Sequence, residues 1–373
     1  MMAEDRRGVL AEIIRKRRKI LKKRKQTVAA AVLVFMMGVL LFVGGRKSAA
    51  EQYEASFYDV FDTQTQVIGY ASSKKQFTEQ MEQIKEQFQY YNDLFDIYHD
   101  YEGINNIKTI NDNAGKEPVE VDPEIIALLK LGIEMEEQTD GNVNIAMGSV
   151  LSIWHDYREA GINDPKQAKL PEMEELQAAA EHTDIHGIVI DEKASTVYLK
   201  DPEMSLDVGS IGKGYAVQKV AEYAKEELGV TSMLFSVGGN VCAIGGHPDG
   251  TPWRIGIQNP DVDSDQAYLQ KVSVQDVSVV TSGNYQRYYE VDGKRYCHII
   301  NPQTLLPADT FSSVTVITPD SGIADALSTT LFNMSLEEGM QFVKEQDQVE
   351  AMWVSEDGTI AYSDGFEAYL TEN

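Results

Sequence analysis

The chain has 373 residues, with 33 Lys and Arg against 59 Asp and Glu and a formal net charge of −26. The charge is unevenly divided: residues 1–26 hold eleven basic and three acidic residues, whereas the chain from Ser48 onward holds 20 basic and 56 acidic ones, a net of −36. So acidic a body repels nucleic acid and anionic membrane surfaces, and its two cysteines, Cys242 and Cys297, are too few for a disulfide-dense scaffold or a cysteine zinc site.

Val28 to Gly45 is an uncharged run of eighteen residues. A helix rising about 1.5 Å per residue would carry it roughly 27 Å, enough for one membrane span. The basic excess before it predicts a cytoplasmic N-terminus and an exported body. Ser48-Ala49-Ala50 offers small residues for a peptidase, so a cleaved signal is the alternative. The length of the run, with no cysteine after it for lipid attachment, favours an uncleaved anchor. The chain then divides into a basic cytoplasmic segment at 1–27, an anchor or signal at 28–45, a linker at 46–56 and one folded domain at 57–373.

Phe57, Val60 and Phe61 are the apolar positions of an entering strand. Residues 76–98 then place Phe77, Met81, Ile84, Phe88, Tyr91, Leu94, Phe95 and Tyr98 at spacings of three and four, an amphipathic helix. Asp122-Pro123 starts another helix, with a capping Asp and Pro in the first turn, which runs to about Thr139-Asp140-Gly141. A polar stretch from Gly161 to Pro171 leads to a helix at 171–182, and Gly187–Asp191 with Thr196–Lys200 reads as a hairpin. After Asp207 come a glycine turn, a helix at 214–228 and strands at 231–237, 253–258, 268–274, 277–281 and 313–317. A last helix covers 322–334. Strands occur in runs and not in steady βαβ alternation, so the class is α+β.

Five segments have the form of sites. Asp207-Val-Gly-Ser-Ile-Gly-Lys213-Gly214 departs from the nucleotide-triphosphate loop in its spacing, yet backbone N–H groups at a helix start plus Lys213 suit a pyrophosphate. Gly238-Gly239-Asn240 permits close approach of a ligand to backbone, or equally a bulge. His298, before the proline-fixed turn at Asn301-Pro302, has the position of a general base, and Thr281-Ser282-Gly283 precedes it as a polar loop. Asp325 and Thr329, four apart on a helix, offer hard oxygen to Mg²⁺; the alternative is Asp325 as a helix cap.

In this order, the pieces resemble the FAD:protein FMN transferase (ApbE) family over roughly residues 57–345. The metal motif is matched by Asp325-Ala-Leu-Ser-Thr329, and the His-box by His298 to Thr304. The resemblance implies mostly antiparallel sheets packed with helices around a T-fold-like core. It implies Mg²⁺ bound by Asp325, Ser328 and Thr329 with a carbonyl near Ser210. It implies His298 as the base, and FAD against Phe61, Tyr98, Asn142, Val143, Asn144, Asp207, Lys213 and Ile300. The implied reaction moves FMN from FAD to a Thr or Ser hydroxyl of an extracytoplasmic acceptor protein and releases AMP. The chain departs from the family at Asn144 and Asn301, where Asp is usual, and at Phe61-Asp62-Thr63, where Met-Gly-Thr is usual. Two rivals remain: an FAD pyrophosphatase using water, and a membrane-tethered flavin carrier that would have no need of the Asp325–Thr329 pair.

Overall fold

The computed structural model describes residues 50–371. The expected membrane span at 28–45 lies outside them, and no helix among the described residues is long and apolar enough to cross a membrane.

The first strand, β1 (Glu51–Val60), begins inside the stretch expected to be linker and pairs antiparallel with β2 (Thr63–Ala71). Its alternation explains the earlier start, because Tyr53, Ala55 and Phe57 share one face. The ring of Tyr53 stacks 5.5 Å from Phe77, and that of Phe57 lies 6.0 Å from Phe88. Both partners stand on α1 (Lys74–Phe95), which is capped by the Ser73 hydroxyl accepting from the Gln76 N–H. This helix stops three residues short of the expected Tyr98. The Asp96 carboxylate accepts the Tyr98 and His99 N–H groups at 2.6 and 3.1 Å and turns the chain away.

Next come α2 (Ile107–Asp112), β3 (Val119–Glu120), α3 (Pro123–Gln138), α4 (Gly148–Asn163) and α5 (Met173–Ala180). The chain continues through β4 (Ile188–Asp191), β5 (Thr196–Leu199), α6 (Gly212–Glu226), β6 (Met233–Val237), β7 (Asn240–Ile244), β8 (Trp253–Gln258) and β9 (Tyr268–Val274). It ends with β10 (Ser278–Gly283), β11 (Tyr288–Val291), β12 (Lys294–Cys297), β13 (Phe311–Thr318), α7 (Ser321–Asn333), α8 (Leu336–Lys344), β14 (Glu350–Ser355) and β15 (Ile360–Tyr362). The main sheet has the order β1-β2-β6-β7-β10-β13-β14-β15, and every neighbouring pair is antiparallel. The α+β class with antiparallel sheets is therefore the one observed.

Three cores divide the work. One face of the sheet carries α1, α6 and α7 over Phe88, Val217, Phe235, Leu327, Leu331 and Trp353. The other face is covered by the β8–β9 hairpin and Phe366, over Leu234, Val241, Ile317 and Met352. A third cluster of Val150, Trp154, Leu176, Tyr289, Ile300 and Leu305 joins α4 and α5 to the β11–β12 hairpin. Within it, the Trp154 indole N–H donates to the Leu305 carbonyl at 2.9 Å. Cys242 and Cys297 are both buried and unbridged.

Candidate functional site

Asp325 lies in the second turn of α7. The cap of this helix is Asp320, whose carboxylate accepts the Gly322 and Ile323 N–H groups at 2.7 and 2.9 Å. The reading of Asp325 as a cap is thereby removed. Its side chain is directed inward to α6, where Oδ2 accepts the Gly214 N–H at 2.8 Å and lies 3.7 Å from Lys213 Nζ. Such closeness requires glycine at 214: a Cβ there would lie 2.2 Å from the Ser321 carbonyl oxygen and 2.5 Å from Asp325 Cβ. Asp325 is 4 % exposed. Burial raises its pKa, while Lys213, the Gly214 N–H and the Asn240 side chain pull it back.

A buried carboxylate disfavoured by desolvation is a seat for a cation. The Asn240 side-chain oxygen, buried on the residue that also bonds Asp325, has no hydrogen-bond partner among the described residues. Thr329, half-buried, stands one turn beyond Asp325. One carboxylate with neutral oxygens fits Mg²⁺, which takes hard ligands and usually keeps water and substrate phosphate. No group of three or more His, Cys, Asp or Glu that could hold a metal occurs among the described residues. Ser328 is fully buried, with its hydroxyl donating to the Asp325 carbonyl at 2.9 Å and meeting Ser282 at 2.8 Å. Thr281, Ser282 and Gly283, expected as a loop, belong to β10, and this hydroxyl pair ties that strand to α7.

The glycine turn before α6 is organised from its acidic end. Asp207 N–H donates to the Ile145 carbonyl at 2.9 Å, and its Oδ1 accepts the Gly209 N–H at 2.8 Å. Burial raises the Asp207 pKa, with the Gly209 N–H and then His155, Lys213 and Arg158 opposing. No side chain caps α6. Ser210 sits half-exposed in the turn, and Lys213 Nζ reaches back to the Gly209 carbonyl at 3.4 Å. The adjoining segment 142–146 runs beside Asp207. Asn142 and Val143 are buried there, and the Asn142 amide donates to the Thr139 carbonyl at 2.9 Å.

The two amides that replace the usual aspartates have structural partners. Asn144 accepts the Ala146 N–H at 2.7 Å and donates to the Thr183 carbonyl at 3.0 Å. Asn301 accepts the Gln303 and Thr304 N–H groups and donates to the Asn333 carbonyl at 3.0 Å. A carboxylate could make the first kind of bond and not the second. Ile300 puts its side chain into the third core.

His298 follows β12 and is half-buried. Its Nδ1 lies 3.2 Å from the Arg287 carbonyl. Because a carbonyl only accepts, Nδ1 carries the proton and Nε2 is the free basic nitrogen. Burial, followed by the charges of Arg287, Arg158 and Lys213, lowers the pKa to about 3. Arg158 and its neighbour His155 stand on α4, a helix absent from the sequence expectations. Arg158 Nη2 lies 2.9 Å from His155 Nδ1, and the His155 ring lies 5.4 Å from that of Tyr98. Tyr98 is 54 % exposed, released by the early end of α1 to face this cluster. Arg287 Nη2 reaches the Asp62 carbonyl at 3.5 Å. Phe61 and Asp62 both have positive φ, 52° and 49°, and the Asn92 side chain holds the Phe61 N–H at 2.8 Å. The cluster thus joins Asp62, Tyr98, Arg158, Asp207, Lys213, Arg287 and His298 within mutual electrostatic range.

The sequence matches the profile of the ApbE family over residues 60–353. The chain belongs to the ApbE family. An FAD:protein FMN transferase of Klebsiella pneumoniae is 32 % identical over 260 residues, which cover 69 % of this chain and 78 % of the relative. One from Escherichia coli K12 is 30 % identical over 250 residues, 66 % of this chain and 69 % of the relative. Among solved structures, the ApbE protein of Thermotoga maritima superposes with a TM-score of 0.75 at 30 % identity, covering 86 % of this chain and 100 % of the other. The flavin transferase ApbE of Vibrio cholerae gives 0.70 at 28 % identity, covering 86 % and 100 %. The ApbE match ends beyond the helix that carries Asp325, so every segment singled out as a site lies inside it.

Proposed function

We propose that this ApbE-family chain is an FAD:protein FMN transferase that uses Mg²⁺ and acts outside the cytoplasm. The observation that carries the reading is the meeting of the Lys213 turn, the buried Asp325 and the neutral His298 in one cluster. FAD lies with its pyrophosphate against the N-terminal turn of α6, where Lys213 and backbone N–H groups meet its charge. Asp325 and Thr329, with a carbonyl near Ser210, hold Mg²⁺; Ser328 serves through the backbone, since its hydroxyl is spent on α7 and β10. When bound, the ion offsets the charge that builds on the departing AMP. His298 Nε2 takes the proton of the acceptor Thr or Ser hydroxyl, whose oxygen forms a bond to the FMN phosphorus as the bond to AMP breaks. The acceptor exchanges its hydroxyl hydrogen for the flavin phosphoryl group, a net gain of FMN less water, and the proton leaves with AMP. Phe61, Tyr98 and Asp207 line the flavin nucleotide, and the buried Asn142, Val143 and Ile300, with the half-buried Asn144, support that lining from behind.

The exported location rests on the uncharged run at 28–45 and the basic tract before it. The acceptor is then an extracytoplasmic flavoprotein. The test is to incubate the full chain with FAD, Mg²⁺ and an exported flavoprotein domain, and to follow denaturation-resistant flavin fluorescence and mass on the acceptor. A gain of one FMN less one water, with AMP released in equal amount, is the expected result. AMP appearing without any labelled acceptor would assign the chain to FAD hydrolysis instead.

A further inference from the structure

Arg158 and Arg287 carry charges that no ion pair among the described residues neutralises, although acidic side chains greatly outnumber basic ones. Arg158 has a hydrogen bond to the His155 ring, and Arg287 a long one to the Asp62 carbonyl. Burial disfavours the charge on Arg158, and Arg287 adds to this by repulsion, while Glu159, Tyr98 and Asp207 offset part of it. Lys213 contributes a third cation to the field at His298. The half-buried charge of Arg158 and the exposed one of Arg287 repel each other, and an anion between them would relieve that repulsion. Guanidinium groups suit that anion when it is a phosphate, because their planar fork donates two parallel hydrogen bonds.

We propose that Arg158 and Arg287 form a guanidinium clamp for the pyrophosphate of the flavin dinucleotide, with His155 as the positioning residue that orients Arg158. The proposal rests on the flavin-nucleotide reading of the site. Its consequence is selectivity: the clamp separates the dinucleotide from bare riboflavin, since the ring system is common to both and the phosphates are not. The His155 ring, set between Tyr98 and Arg158, fixes the direction of the Arg158 fork without touching substrate.

The experiment measures binding of FAD and of riboflavin to the full-length chain in detergent, by quenching of flavin fluorescence, with Mg²⁺ chelated and no acceptor present. Charge-assisted hydrogen bonds set the expected loss of FAD affinity at about 10- to 100-fold for Arg158→Gln and for Arg287→Gln, with riboflavin affinity unchanged. Arg158→Lys keeps charge and loses the fork, so it falls between Gln and the parent. Arg287 is exposed, and its variants therefore report even if those at 158 fold poorly. Equal weakening of FAD and riboflavin, or no weakening of either, overturns the clamp. So does a variant that binds FAD like the parent and loses only acceptor affinity, which would make the arginines a docking site for acidic groups of the acceptor. A parent chain that binds FAD through both arginines yet labels no acceptor removes the transferase reading and leaves the clamp standing.

Discussion

The proposed base, His298, has to be unprotonated when substrate arrives, and burial with the charges of Arg287, Arg158 and Lys213 holds it so. Its imidazole is expected to show no titration between pH 5 and 8 in ¹³C-labelled histidine NMR of the ligand-free chain; a midpoint near 6.5 would contradict the placement. An unfolded chain protonates this ring near 6.5 and the folded one near 3, so the unfolded state gains as pH falls through that window. His298→Gln should accordingly lose less urea resistance than the parent between pH 7 and pH 5. Its turnover should drop by about 10²- to 10⁴-fold with FAD affinity retained, the usual share of a general base. Asp325→Ala should abolish turnover and the response to added Mg²⁺, and full activity in that variant would remove the metal assignment. Asp325, Lys213 and His298 are legible in the sequence because each lies in a short, patterned segment. Arg158 and Arg287 are not, because a charged residue on a polar helix or hairpin looks solvated until its neighbours are known.

At the scale of elements, the site depends on α6 and α7 approaching until a backbone N–H meets a carboxylate. Gly214→Ala inserts a methyl group where 2.2 Å separates its position from the Ser321 oxygen. The helices must part, at a loss of about 1–3 kcal/mol typical of overpacking. A lower urea midpoint together with a weaker Mg²⁺ response is expected, and an unchanged midpoint would show that the helices have room. The strand and helix periods locate α3, α6, α7, β8 and β9 closely, since each has an apolar face of its own. Helix α4 escapes because its start is made by tertiary backbone. Met147 gives it no side-chain cap, Gly148 N–H bonds the Ser205 carbonyl at 2.9 Å, and a Cβ at Gly148 would lie 2.4 Å from that oxygen. The end of α1 was likewise set by the Asp96 turn and not by the aromatic spacing, which continues to Tyr98.

For the whole molecule, the decisive asymmetry is between eleven basic residues in the first 26 and a body of net charge −36. Protease added to spheroplasts is expected to digest the folded body while an epitope placed at the N-terminus is protected. Protection of the body with digestion of the epitope would reverse the proposed topology. Composition, charge order and motif order alone determined the class of fold, the acidic body, the expected export and the family resemblance, because each is a property of neighbours along the chain. Only the tertiary structure decided that Asp325 is a buried carboxylate and not a cap, that Tyr98 leaves its helix, and that the charges of Arg158 and Arg287 reach His298. Those facts depend on desolvation and on charges brought together from distant segments, quantities that exist only once the chain has packed.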